Sequence, residues 1–171
     1  MEHSFKKAIP ELLEINPFSL IGADWMLITA GPIDSYNTMT ASWGGLGHLW
    51  DKNITCCFIR PQRYTFGFIE KAEYYTFSFF GEKYRYVLNY CGNHSGKNVD
   101  KAEKTGITPV EGPNGTVYFA EARLVIVSKK LYTHDLDRNN ILEKDIIGEF
   151  YPPDNDIHTM YIGEVTECMT Q

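Results

Sequence analysis

With 171 residues, 43 % of them apolar, the chain is long enough to bury one core as a single domain, and it is neither disordered nor fibrous. A net charge of −6 opposes binding to nucleic acid or an anionic membrane, yet a small anion can bind wherever basic side chains converge. No apolar run is long enough to span a bilayer, and the charged start, Met1 to Pro10, lacks the apolar stretch of a signal peptide, so a cytoplasmic protein is expected.

In chain order, Trp25 to Ala30 reads as a strand closed by the turn signal Gly31-Pro32. Asn37 to Ser42 reads as a second strand, and the glycines of Trp43-Gly44-Gly45-Leu46-Gly47 predict irregular backbone after it. Ile54 to Ile59 is β-branched and apolar, a buried strand. Pro61 suits the first position of a helix, with Phe66 and Ile69 facing the core. Tyr74 to Phe80 is an aromatic-rich strand. Glu82 to Cys91 carries Tyr84, Val87, Leu88 and Cys91 at helical spacing, with Gly92 as its cap; Asn98 to Lys104 forms a short helix ended by Gly106. Pro113-Asn114-Gly115 is a turn. Tyr118 to Val127 alternates Ala120, Ala122, Leu124 and Ile126 onto one face of a strand, with Glu121 and Arg123 on the other. Asn139 to Ile147 reads as a helix packing Leu142 and Ile146, broken by Tyr151-Pro152-Pro153, and Thr159 to Val165 as the last strand. The sum is mainly β with small helices, an antiparallel barrel or sandwich; the strand–helix alternation of a parallel α/β sheet is missing.

Three constellations can carry chemistry. In Asn37-Thr38-Met39-Thr40-Ala41-Ser42-Trp43-Gly44, five of eight side chains donate or accept hydrogen bonds beside a glycine-rich backbone. That surface can grip a polar heterocycle edge or a ribityl chain; it equally fits a strand end facing solvent. Arg60-Pro61-Gln62-Arg63-Tyr64-Thr65 sets two arginines and a hydroxyl at an expected helix start, where dipole and guanidinium both favour phosphate; a solvated cluster is the alternative. Cys91-Gly92-Asn93-His94-Ser95-Gly96-Lys97-Asn98-Val99-Asp100-Lys101 is a small-residue loop able to close over a ligand, or a plain helix connection. Gly44-Gly45-Leu46-Gly47 lacks dinucleotide-fingerprint spacing, and no G-x-S-x-G elbow exists. The histidines His48, His94, His134 and His158 are too scattered for a metal site, and Cys56, Cys57, Cys91 and Cys168 form no C-x-x-C pair, so no metal is expected and a reducing compartment is the simpler reading.

Asn37 through Gly45, then Phe58-Ile59-Arg60-Pro61 with Arg63 and Thr65, then Cys91-Gly92, Ser95-Gly96 and Asp100-Lys101, and finally Tyr161-Ile162-Gly163-Glu164-Val165 together resemble the flavin-reductase-like and flavoredoxin family. The resemblance runs from about Pro17 to Glu167. It implies an FMN-binding split barrel, a Greek-key six-stranded antiparallel barrel, assembled as a homodimer with FMN at the interface. By carry-over, Asn37, Met39, Thr40, Ala41, Ser42 and Trp43 line the ribityl chain and isoalloxazine, and Arg60, Arg63 and Thr65 hold the phosphate. Ser95, Lys97 and Lys101 come from a closing loop of either subunit, and His134 is a further candidate. The resemblance implies an oxidoreductase whose electrons come from NAD(P)H or a redox protein. The alternatives are a flavin-storage module on the same barrel and a barrel for another phosphorylated ring, such as pyridoxal phosphate.

Overall fold

The computed structural model describes residues 4–152 and 156–171. Met1, Glu2 and His3 of the charged start and Pro153 of the expected helix break lie outside them. In chain order the elements are β1 (Lys6–Lys7), the single turn α1 (Pro17–Ser19), β2 (Met26–Ala30), β3 (Asn37–Ala41), β4 (Gly44–Leu49), β5 (Lys52–Ile59), α2 (Phe66–Lys71) and β6 (Tyr74–Phe79). There follow α3 (Arg85–Asn93), α4 (Lys101–Thr105), β7 (Pro109–Glu111), β8 (Val117–Phe119), β9 (Leu124–Asp135), α5 (Lys144–Phe150) and β10 (Thr159–Thr170). The expected mainly-β class with small helices is what the chain adopts.

The strands pair in the order β3-β2-β6-β9-β10-β5-β4, with β1 added to β10, and every pair is antiparallel. The β7–β8 hairpin stands apart. Edge strands β3 and β4 are separated in sequence only by Ser42 and Trp43, so the sheet must curl until its two edges meet at that corner. Gly44 sits in the corner: a Cβ there would strike the Cys56 carbonyl oxygen and lie 3.3 Å from Met26 Cε, so only glycine fits. Among the described residues no ladder joins the two edges, and hydrogen bonds do not close the sheet into a barrel.

The curl encloses Ile28, Ile59, Phe77, Phe79 and Tyr161, all fully buried, each worth about 1.5–3 kcal/mol of burial. Buried hydroxyls there pair with one another: Thr55 Oγ1 lies 2.9 Å from Tyr75 Oη and 2.8 Å from Ser128 Oγ. A second core on the outer face packs Val87, Leu88 and Cys91 of α3 against Leu27, Val125 and Val127 of the sheet.

Several local expectations are overturned. Gly44–Leu49 is a strand, because β5 pairs with it residue for residue across a Trp50–Asp51 turn with both residues at positive φ, 54° and 58°. Pro61 opens a series of turns, and α2 starts only at Phe66. Gly92 lies inside α3, whose C-cap is His94. The Tyr118–Val127 strand is broken by a turn at Ala120–Arg123, where the Arg123 amide bonds the Phe79 carbonyl, so Ala120 and Ala122 do not share a strand face with Leu124. The last helix is shifted to Lys144–Phe150, leaving Leu142 outside it and 89 % exposed, with Ile146 exposed as well.

Candidate functional site

β3 bonds to β2 along its whole length, from Met26 opposite Ala41 to Ala30 opposite Asn37. That ladder fixes which side chains face out at the corner. Met39, Thr40, Ala41, Ser42 and Trp43 form one wall of a cleft of about 250 Å³; Phe58, Arg60, Arg63 and His158 form the other. The Ser42–Trp43 rim and the Arg60–Arg63 corner, far apart in sequence, thus share one cleft within one chain. Thr40 Oγ1 donates to the Leu88 carbonyl at 2.5 Å, so its hydroxyl proton is committed to α3 and its oxygen is left as an acceptor.

No carboxylate lines this cleft among the described residues, while two guanidinium groups do. Arg60 Nη2 donates to the Phe150 carbonyl at 2.8 Å and the guanidinium lies 5.4 Å from the Tyr151 ring centre. Arg63 Nη2 reaches the Gly92 carbonyl at 3.4 Å; burial, and then repulsion from Arg60, lowers its pKa. A dianionic group placed between the two would relieve that repulsion.

His158 is the residue that sequence reasoning missed. Its ring centre is 4.9 Å from that of Trp43, and Trp43 meets Phe150 edge to face at 5.2 Å. Burial, then Arg60 and Arg63, pushes the imidazole down to about 4. Held neutral at pH 7, it shares a hydrogen bond between Nδ1 and the Tyr151 hydroxyl, 2.7 Å apart. Its sequence signal is faint: a lone histidine just before the final strand.

The other anticipated residues fall into four places. Asn37 and Thr65 are buried partners, Asn37 Nδ2 donating to Thr65 Oγ1 at 2.7 Å, and so tie β3 to the loop carrying Arg63. Ser95 and Lys97 line a larger cavity of about 1030 Å³, whose wall also includes Arg63. Lys101 is buried and donates to the Thr38 and Cys91 carbonyls at 2.8 and 2.9 Å; burial lowers its pKa to about 8. With Asn37 it lines a third cavity of about 480 Å³. His134 is exposed on β9, opposite Met160, which in turn lies opposite Phe58. It is outside the cleft of its own chain.

The flavin reductase-like domain model matches residues 18–171, and the chain belongs to that family. No curated protein matches it. Among solved structures it is similar to an FMN-binding protein from Thermus thermophilus, 19 % identical, with a TM-score of 0.69 over 96 % of this chain and 78 % of that one. It is also similar to the flavoredoxin of Desulfovibrio vulgaris, 23 % identical, TM-score 0.68, covering 97 % and 76 %. The NADH:FAD oxidoreductase SgcE6 of Streptomyces globisporus is 13 % identical, TM-score 0.65, covering 86 % and 75 %. At these identities the likeness is one of fold. Membership and fold together support a redox function involving a flavin. Among the described residues no helix is long and apolar enough to cross a membrane.

Proposed function

We propose that the chain binds FMN in the small cleft and works as a flavin-reductase-like oxidoreductase, taking electrons from NAD(P)H or a redox protein. The carrying observation is the cleft itself: an apolar and hydroxyl-bearing rim joined to two guanidinium groups with no carboxylate among the described lining residues. The residues fit the ligand. Met39, Phe58 and Trp43 suit a flat ring, Ser42 and the His158 imidazole its polar edge, and Arg60 and Arg63 the phosphate. FMN, when bound, supplies hydride or single-electron transfer, so no protein nucleophile is needed. The chain's part is to hold the ring, place donors at its rim and neutralise the phosphate.

The cleft favours a homodimer. At about 250 Å³ it is smaller than the roughly 300–1,000 Å³ of ligand pockets, so a second subunit would complete it. The outer face beside it is apolar: Phe58, Met160 and His134 share one row of the ladder, and Cys56, Ile162 and Tyr132 the next. Packing that face on its copy would bring His134 towards the partner's cleft. FMN titration of the purified protein, with NADH and NADPH oxidation followed in the same samples, tests the reading. Binding of one FMN per chain with turnover of either nucleotide is expected; binding without turnover leaves the electron-carrier form, and no FMN binding removes the proposal.

A further inference from the structure

The segment that carries α5 touches the small cleft without lining it. α5 itself has no buried residue, and its Ile146 is exposed. The segment is seated instead at the end of the helix, where Tyr151 is the C-cap and only 4 % exposed. Arg138 holds that end, donating to the Tyr151 and Pro152 carbonyls at 2.5 and 3.3 Å. The Tyr151-Pro152 break seen in the sequence is therefore an anchor as well as a stop.

Tyr151 reaches two of the cleft's side chains at once. Its hydroxyl lies 2.7 Å from His158 Nδ1, and the two rings meet edge to face at 5.5 Å and 82°. Burial raises the phenol's pKa and keeps it a hydroxyl. On the other side, the Arg60 guanidinium lies over the Tyr151 ring, while Arg60 Nη2 donates to the carbonyl of the preceding Phe150. Neither Tyr151 nor Phe150 is among the described residues that line the cleft. A free imidazole exchanges between two tautomers; a partner on Nδ1 selects one and leaves Nε2 as the ring nitrogen for the cleft. A guanidinium resting on an aromatic face is held in one plane, with its remaining N–H groups directed elsewhere.

We infer that Tyr151 is a positioning residue for this site: its hydroxyl sets the ring and tautomer of His158, and its aromatic face aims Arg60 at the ligand's phosphate. The Arg60 half rests on the flavin reading of the cleft; the His158 half concerns the chain alone.

Two variants separate the halves. Tyr151→Phe keeps the ring under Arg60 and removes the hydroxyl. Ring-nitrogen NMR of the ligand-free protein at neutral pH, with His158 assigned by comparison with His158→Gln, should show one tautomer in the wild type and an averaged pair in Tyr151→Phe. Tyr151→Leu also removes the aromatic face. It should reduce the preference for FMN over riboflavin by about two- to fivefold, the scale of one exposed cation–π contact, whereas Tyr151→Phe should leave that preference in place. A merely structural role would lower the stability of both variants and move neither readout. A single His158 tautomer retained in Tyr151→Phe, or a preference for FMN equal in Tyr151→Leu and wild type, overturns the inference. Wild-type protein that binds no FMN overturns the flavin reading instead, and the tautomer measurement, made without ligand, then decides the role of Tyr151 by itself.

Discussion

The two walls of the small cleft are built by different physics. The β3 wall is held by a continuous backbone ladder to β2, and β2 is held in turn by β6, so its geometry is set deep in the sheet. The opposite wall gathers Arg60, Phe150, Tyr151 and His158 through side-chain contacts: a guanidinium on a carbonyl, a phenol on an imidazole, a tryptophan edge. Phe150 and Tyr151 close α5, which is not part of the sheet. A ladder keeps its register through a single substitution, whereas a wall of polar contacts changes when one partner is removed. The first wall shapes the site, and the second responds to charge and pH.

That contrast can be broken from either side. The largest effect is expected from Ile28→Ala, at a fully buried position of β2: about 2–5 kcal/mol of stability, read by urea denaturation, with the cleft lost only through unfolding. Next, Arg63→Ala should weaken FMN binding by about 1.5–3 kcal/mol with little change in stability, measured by fluorescence titration. His158 tests the second wall by pH. Its folded pKa, about 4, lies below its ordinary 6.5, so the unfolded chain binds more protons between those values. Its contribution is fully present above about pH 6.5 and is lost as pH falls towards 4, on the order of 2–3 kcal/mol. His158→Gln should flatten stability against pH in that window, and an unchanged slope would show the imidazole to be solvated. Smallest of all, Leu142→Ser should move stability by no more than about 0.5 kcal/mol, since that side chain is solvent-exposed.

The legible parts of the sequence were those where local chemistry and tertiary role agree. The apolar, β-branched runs of β2 and β5 and the aromatic run of β6 are strands wherever they are placed. β4 was not legible, because its glycines have no strand preference of their own; pairing with β5 imposes the extended form, and the turn uses Trp50 and Asp51 where Asn-Gly would have announced a hairpin. The break after β8 was hidden because Ala120 to Arg123 contains neither glycine nor proline. In the site, the rim and the arginines were readable as two separate segments. Their meeting depends on the curl of the sheet, and His158 joins them only because β10 lies beside β5. Thr65 and Lys101 are polar types that suit a phosphate, yet one is engaged by Asn37 and the other by backbone carbonyls, which spacing alone does not disclose.

A comparison of FMN with riboflavin tests the shared cleft most directly, since the two differ only in the phosphate assigned to Arg60 and Arg63. Wild-type protein should bind FMN more tightly than riboflavin, with flavin fluorescence altered by Trp43 in both cases, and Arg63→Ala should shrink the gap while leaving riboflavin affinity unchanged. Equal affinity for the two flavins in the wild type, or a gap that Arg63→Ala does not touch, would contradict the account.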